Sequence, residues 1–205
     1  MYDSKFFKTP SVKMSYKDDV LIDEKGETVM MGWEKPIMKV ASEVVTANGG
    51  DILNIGFGMG IVDSYIQETN PTSHTIIESH PDVIQYMKDN GWEDRCNCVY
   101  GRWQDCIDTI GQFDGIYLDT WKDERVSSIP KLLETCLKDG GVFSMWHQQW
   151  EFNQLIQYFQ KGYDLSYRKI ENNNIIPEKQ FTDGTQYISS SMRSIIIPVV
   201  KNIKI

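Results

Sequence analysis

The chain has 205 residues, enough for one large domain with a sizeable core. Its 40% hydrophobic and 24% charged residues are ordinary for a globular protein, and its net charge of -8 disfavours a nucleic-acid partner. The opening MYDSKFFKTP lacks the apolar core of a secretion signal, and no apolar run approaches the roughly 18 residues that span a bilayer. The expectation is a cytoplasmic protein with no membrane association.

Residues 1–30 have weak periodicity and read as an irregular arm with a turn near Gly26. Pro36 then opens a helix, because a first-turn position needs no N–H. Ile37, Val40, Ala41, Val44 and Val45 form its apolar stripe, and Asn48-Gly49-Gly50 end it. Strands and helices alternate from there. DILNIG is a strand, residues 60–69 a helix stopped by Asn70-Pro71, and HTIIES a second strand. Pro81 starts a helix running to Asn90-Gly91, followed by CNCVYG and FDGIYLDT as strands three and four. A helix over 127–138, the strand GGVFSMWH and a helix over 150–161 come next. YDLSYRKIE and QYISSSMRSIIIPVV are the sixth and seventh strands. Repeated β-α units predict a doubly wound α/β sheet that is mostly parallel. The last two strands, with no long helix between them, predict an antiparallel edge hairpin.

Cys96, Cys98, Cys106 and Cys136 contain no CxxC pair, and Cys96 and Cys98 share one strand face. Free thiols are the expectation. His74, His80 and His147 lack metal-ligand spacing, so no metal site is inferred.

The clearest chemistry follows the first strand. Asn54-Ile55-Gly56-Phe57-Gly58-Met59-Gly60 runs from strand through glycine turn into helix. Such a turn lets a ligand approach the backbone, and the helix N-terminus offers N–H groups. Glu78 ends the second strand, 22 residues beyond Gly56, where a carboxylate can accept bonds from ribose hydroxyls. Gly56, Phe57, Gly58 and Gly60, with Glu78 and Ser79, form the expected cofactor edge. Ile61 stands where a dinucleotide site has its third glycine, which favours an adenosyl ligand without a pyrophosphate. Trp103 and Gln104 follow the third strand. Trp103 either packs on a nucleobase or fills the core, and Gln104 can bond a base edge. Asp119 and Thr120 end the apolar fourth strand beside the glycine turn, and an acid there needs a partner.

In order and spacing, VMMGWEKPIM, ILNIGFGMGIVDSYIQ, SHTIIESHPDVIQYM, GRWQD and FDGIYLDT resemble the guanidino-nitrogen methyltransferases. That family includes guanidinoacetate methyltransferase and the fungal arginine N5-methyltransferase. The resemblance spans roughly residues 28–145, with Tyr187 and the IIPVV ending in plausible register. It implies a Rossmann-like class I S-adenosylmethionine-dependent methyltransferase fold and that cofactor, with S-adenosylhomocysteine as product and no metal. It implies that Trp33-Glu34 and Asp119, beside Thr120, grip a guanidinium, with Glu34 and Asp119 catalytic. It places Glu78 at the ribose and Trp103-Gln104 at the adenine, where guanidinoacetate methyltransferase resembles WE. Residues 1–35 would be a lid over the site, and 36–205 the methyltransferase domain. The expected acceptor is a small guanidino compound. The alternatives are a protein arginine or, with less support, an NAD-dependent oxidoreductase. LDTW after the fourth strand is unlike the Asp/Asn-Pro-Pro-aromatic motif of nucleic-acid amino-methyltransferases. Oligomeric state is left open.

Overall fold

The computed structural model describes residues 12–203 except 122, 124, 148, 179 and 181–188. The expectations placed on Tyr187 and on the start of the last strand at Gln186 lie outside the described residues.

The arm is ordered structure, a correction to the sequence expectation. Strands β1 (Met14–Lys17), β2 (Val20–Asp23) and β3 (Thr28–Met31) form an antiparallel three-stranded meander. Their weak period hid them because each strand has only 4 residues. Asp23 accepts the N–H groups of Lys25 and Glu27 in the turn that contains Gly26. Met14, Leu21 and Met30 are buried in the same apolar cluster as Phe57 and Val83. The arm is therefore part of the core.

A short 3-10 turn, Gly32–Glu34, leads into α1 (Lys35–Val45), with Pro36 in its first turn. Ile37, Ala41, Val44 and Val45 of the expected stripe are buried, and Val40 is half-buried. The alternating region then runs β4 (Asp51–Ile55), α2 (Ile61–Glu68), β5 (Ser73–Glu78), α3 (Pro81–Asp89), β6 (Asn97–Tyr100) and the short α4 (Trp103–Cys106). It continues with β7 (Phe113–Leu118), α5 (Ile129–Cys136), β8 (Leu137–Met145), α6 (Gln149–Phe159), β9 (Tyr163–Glu171) and β10 (Ser194–Asn202). The helix expected over 127–138 is shorter, because Leu137 already pairs with Phe113 as the start of β8.

The seven strands lie in the order β6-β5-β4-β7-β8-β10-β9. The first five are parallel, while β10 runs antiparallel to both β8 and β9. This is the mostly parallel sheet with an antiparallel edge hairpin that the sequence predicted. Both sheet faces are covered, which explains the nearly continuous apolar strands. Ile52, Ile76 and Tyr117 join the cluster under α1–α3, and Leu53, Ile55, Ile77, Ile116 and Leu118 join the cluster under α4–α6. The strand order reverses between β4 and β7, so their carboxyl ends open a crevice at the switch point.

Candidate active site at the carboxyl ends of the parallel strands

The glycine turn joins β4 to α2. Gly56, Gly58 and Gly60 have φ of 92°, 56° and 69°, a region that favours glycine. Two of them are also sterically fixed. A Cβ on Gly56 would overlap the Asp119 carbonyl oxygen, and one on Gly60 would overlap the Phe57 ring. The turn thus packs directly on the end of β7. Asn54 fixes its start. The Asn54 amide donates to the Gly56 carbonyl at 3.0 Å and to both oxygens of buried Asp63 at 2.8 and 2.9 Å. A wholly buried asparagine in an apolar strand was the available signal for this bracing, and sequence reasoning passed over it.

Glu78 is buried and organises two loops. One oxygen accepts the Phe57 N–H at 2.8 Å; the other accepts those of Ser79 and His80 at 2.7 and 2.8 Å. A carboxylate has about four acceptor positions, so about one is left for another donor. The arm closes over the turn. The Tyr16 hydroxyl donates to the Gly58 carbonyl at 2.7 Å, and the Met30 sulfur accepts the Met59 N–H at 3.2 Å. Tyr16 stacks on Tyr86 of α3 with ring centroids 3.8 Å apart. Burial beside the acids Glu78 and Asp82 pushes the Tyr16 phenol well above its ordinary pKa, so it keeps the proton it donates.

Trp103 lies in the core, 3% exposed, and its indole N–H donates to Asp123 at 2.6 Å. Its ring fills the cluster under α4–α6, so most of its surface is committed to packing. Gln104 donates to both oxygens of the same carboxylate, at 3.0 and 3.1 Å, and Thr120 donates at 3.3 Å. The Gln104 carbonyl oxygen is buried and has no hydrogen-bond partner among the described residues. Asp123 was not singled out in the sequence, where it is one more acid in an acidic chain.

Asp119 follows β7, and burial raises its carboxyl from 3.8 to about 6, against the lowering pull of Arg125. Glu151 adds to the rise. Arg125 is itself buried and forms a bidentate pair with Glu151 of α6 at 2.9 and 3.0 Å. It also donates to the carbonyls of Thr120 and Trp146, which ties the loops after β7 and β8 together. Glu34 is 4% exposed and caps its own turn by accepting the Met31 N–H at 2.9 Å. The neighbouring Trp33 indole N–H points at the Met31 sulfur, 3.1 Å away. Asp119 and Glu34 both bear on the buried Tyr117 phenol, which burial above all raises well beyond its ordinary value. The charges of two carboxylates 85 residues apart in sequence thus both act on one side chain of β7.

Among the described residues, no group of three His, Cys, Asp or Glu is arranged to hold a metal. His74 belongs to the buried Asp63–Asn54 cluster, with its Nε2 3.1 Å from Asp63. The four cysteines are free, and the Cys96 and Cys98 sulfurs lie 3.7 Å apart. No described helix is long and apolar enough to cross a membrane.

A seven-stranded sheet with β10 inserted antiparallel, and a glycine turn at the switch point, is the Rossmann-like class I fold of S-adenosylmethionine-dependent methyltransferases. A precorrin-6y C5,15-methyltransferase from Geobacter metallireducens superposes with TM-score 0.61 at 12% identity, covering 89% of this chain and 93% of that one. A tRNA (m1A58) methyltransferase from Aquifex aeolicus gives 0.57 at 11%, covering 86% and 71%. Within that class, residues 7–158 match the guanidinoacetate N-methyltransferase family, and the chain belongs to it. Saccharomyces cerevisiae protein arginine N-methyltransferase 2 is 42% identical over 150 residues, which are 66% of this chain and 36% of that protein. The protein of that name from Emericella nidulans is 32% identical over 178 residues, 77% of this chain and 42% of that protein. The chain therefore spans under half the length of these relatives.

Proposed function

We propose that this chain transfers a methyl group from S-adenosylmethionine to a guanidino nitrogen of a small guanidino compound. A proton-hungry Asp119 packed against the glycine turn, with buried Glu34 acting on the same Tyr117 phenol, carries the reading. The site fits the cofactor. The turn and the first N–H groups of α2 would face its carboxylate-bearing end, the remaining acceptor position of Glu78 would take a ribose hydroxyl, and the orphaned Gln104 oxygen would take a donor from the adenine. When bound, the cofactor supplies an electrophilic methyl on a sulfonium.

The protein must make the substrate nitrogen nucleophilic. A guanidinium has a pKa above about 12 and no lone pair to offer. Glu34 and Asp119 hold its N–H groups with charge-assisted hydrogen bonds and localise its charge. As the methyl leaves sulfur for that nitrogen, the nitrogen's proton would pass to Asp119, whose pKa of about 6 suits a base near neutral pH. Arg125 keeps Asp119 from rising further, and the arm, with Tyr16 and Met30 on the glycine turn, excludes water as a lid.

A second reading has specific support: the relatives at 32–42% identity are named as protein arginine methyltransferases, which favours an arginine side chain as acceptor. Mass spectrometry after incubation with labelled S-adenosylmethionine separates the two. Guanidinoacetate, free arginine and an arginine-containing peptide form the panel. Methylation of a small compound is expected; methylation of the peptide alone selects the second reading, and methylation of none refutes both.

A further inference from the structure

We propose that Asp123 sets the nucleobase preference of this site by fixing which end of the Gln104 amide faces the ligand. The inference rests on the proposed adenosyl site.

A carboxylate can only accept hydrogen bonds. Asp123 accepts the Trp103 indole N–H at 2.6 Å, the Gln104 amide nitrogen at 3.0 and 3.1 Å and the Thr120 hydroxyl at 3.3 Å. Gln104 must therefore turn its NH2 toward Asp123, and its carbonyl oxygen is thrown to the other side. That oxygen is buried and has no partner among the described residues. A buried, unpaired acceptor is costly, so the position selects a ligand that brings an N–H. At its six position adenine presents an amine, a donor. A 6-oxo purine presents a carbonyl there, and two acceptors then face each other. Without Asp123, Gln104 can rotate and offer either end. The residue acts through Gln104 and is a positioning residue. It lies in the loop after β7, whereas Gln104 lies in α4 after β6, so the preference depends on how two loops meet.

Calorimetric titration with S-adenosylhomocysteine and with its 6-oxo counterpart, S-inosylhomocysteine, tests this. The wild-type protein is expected to prefer the adenine ligand by about tenfold or more. In Asp123→Asn the new amide can donate to the Gln104 oxygen and free the Gln104 nitrogen for the ligand. The preference is expected to shrink several-fold or invert. A purely structural role would weaken both ligands by one factor and leave the ratio unchanged, which overturns the proposal. Gln104→Glu supplies a second arm. It sets two carboxylates against each other and is expected to weaken S-adenosylhomocysteine binding about tenfold, while adding Asp123→Asn restores a donor and recovers affinity. A double variant no better than Gln104→Glu overturns the proposal. So does a wild-type protein that binds the two ligands equally, although its cofactor site then stands. A wild-type protein that binds neither refutes the cofactor site itself.

Discussion

Replacing Asp119 with asparagine should stabilise the protein while disabling it. In the folded chain burial holds the Asp119 carboxyl at about 6, against 3.8 in its ordinary state. At about 1.4 kcal/mol per pKa unit, that difference is about 3 kcal/mol of native-state strain at neutral pH. The sign follows from proton binding. Between the two values the folded state binds the proton more tightly than the unfolded state, so stability falls as pH rises. The strain is absent below about pH 4 and complete above about pH 6. An asparagine is a neutral group of the same size, so Asp119→Asn relieves the strain only where the wild-type group is charged. Urea unfolding should show a gain of up to about 3 kcal/mol at pH 7.5 that shrinks toward zero at pH 4. The corresponding melting temperature would rise by up to about 6–12 °C. Single-turnover methylation at saturating cofactor should fall about 10²–10⁴-fold, because the base is gone. The wild-type single-turnover rate should itself rise with pH through about 6 and then level off. A variant no more stable than wild type at pH 7.5 refutes the burial argument. A variant that transfers methyl at the wild-type rate refutes the assignment of the base.

Arg125→Met leaves Glu151 buried without its cation and should cost about 3–5 kcal/mol in urea unfolding, most of which Glu151→Leu in the same chain should recover. Losing that cation should also move the acid limb of the pH–rate profile above about 6, since Arg125 holds Asp119 down. Glu78→Ala removes the acceptor of three backbone N–H groups and should weaken S-adenosylhomocysteine binding at least about tenfold by calorimetry, with a parallel loss of thermal stability. Unchanged affinity would remove Glu78 from the cofactor site.

The sequence by itself determined the framework. The βα alternation and the glycine turn are local facts, set by apolar runs, Pro36 and Pro81 at helix starts, and glycines that accept positive φ. Local patterns also marked Glu78 and Asp119, because an acid closing an apolar strand is conspicuous. The sequence failed on the arm, whose three strands are too short to show a period. It also left Trp103 undecided between nucleobase and core.

Tertiary structure alone decided the electrical character of the site. The Asp119 carboxyl sits at about 6 chiefly because packing removes its water, with Arg125 of the following loop pulling it down and Glu151 of α6 pushing it up. The charges of Glu34 and Asp119 both act on Tyr117 of β7, a relation no spacing encodes. Nothing local marks Asp123, and only the fold brings Trp103, Gln104 and Thr120 to donate to it. Periodicity reports which face of an element is buried. Charge, hydrogen-bond direction and desolvation depend on atoms brought together from distant segments, so they emerge only when the chain is folded.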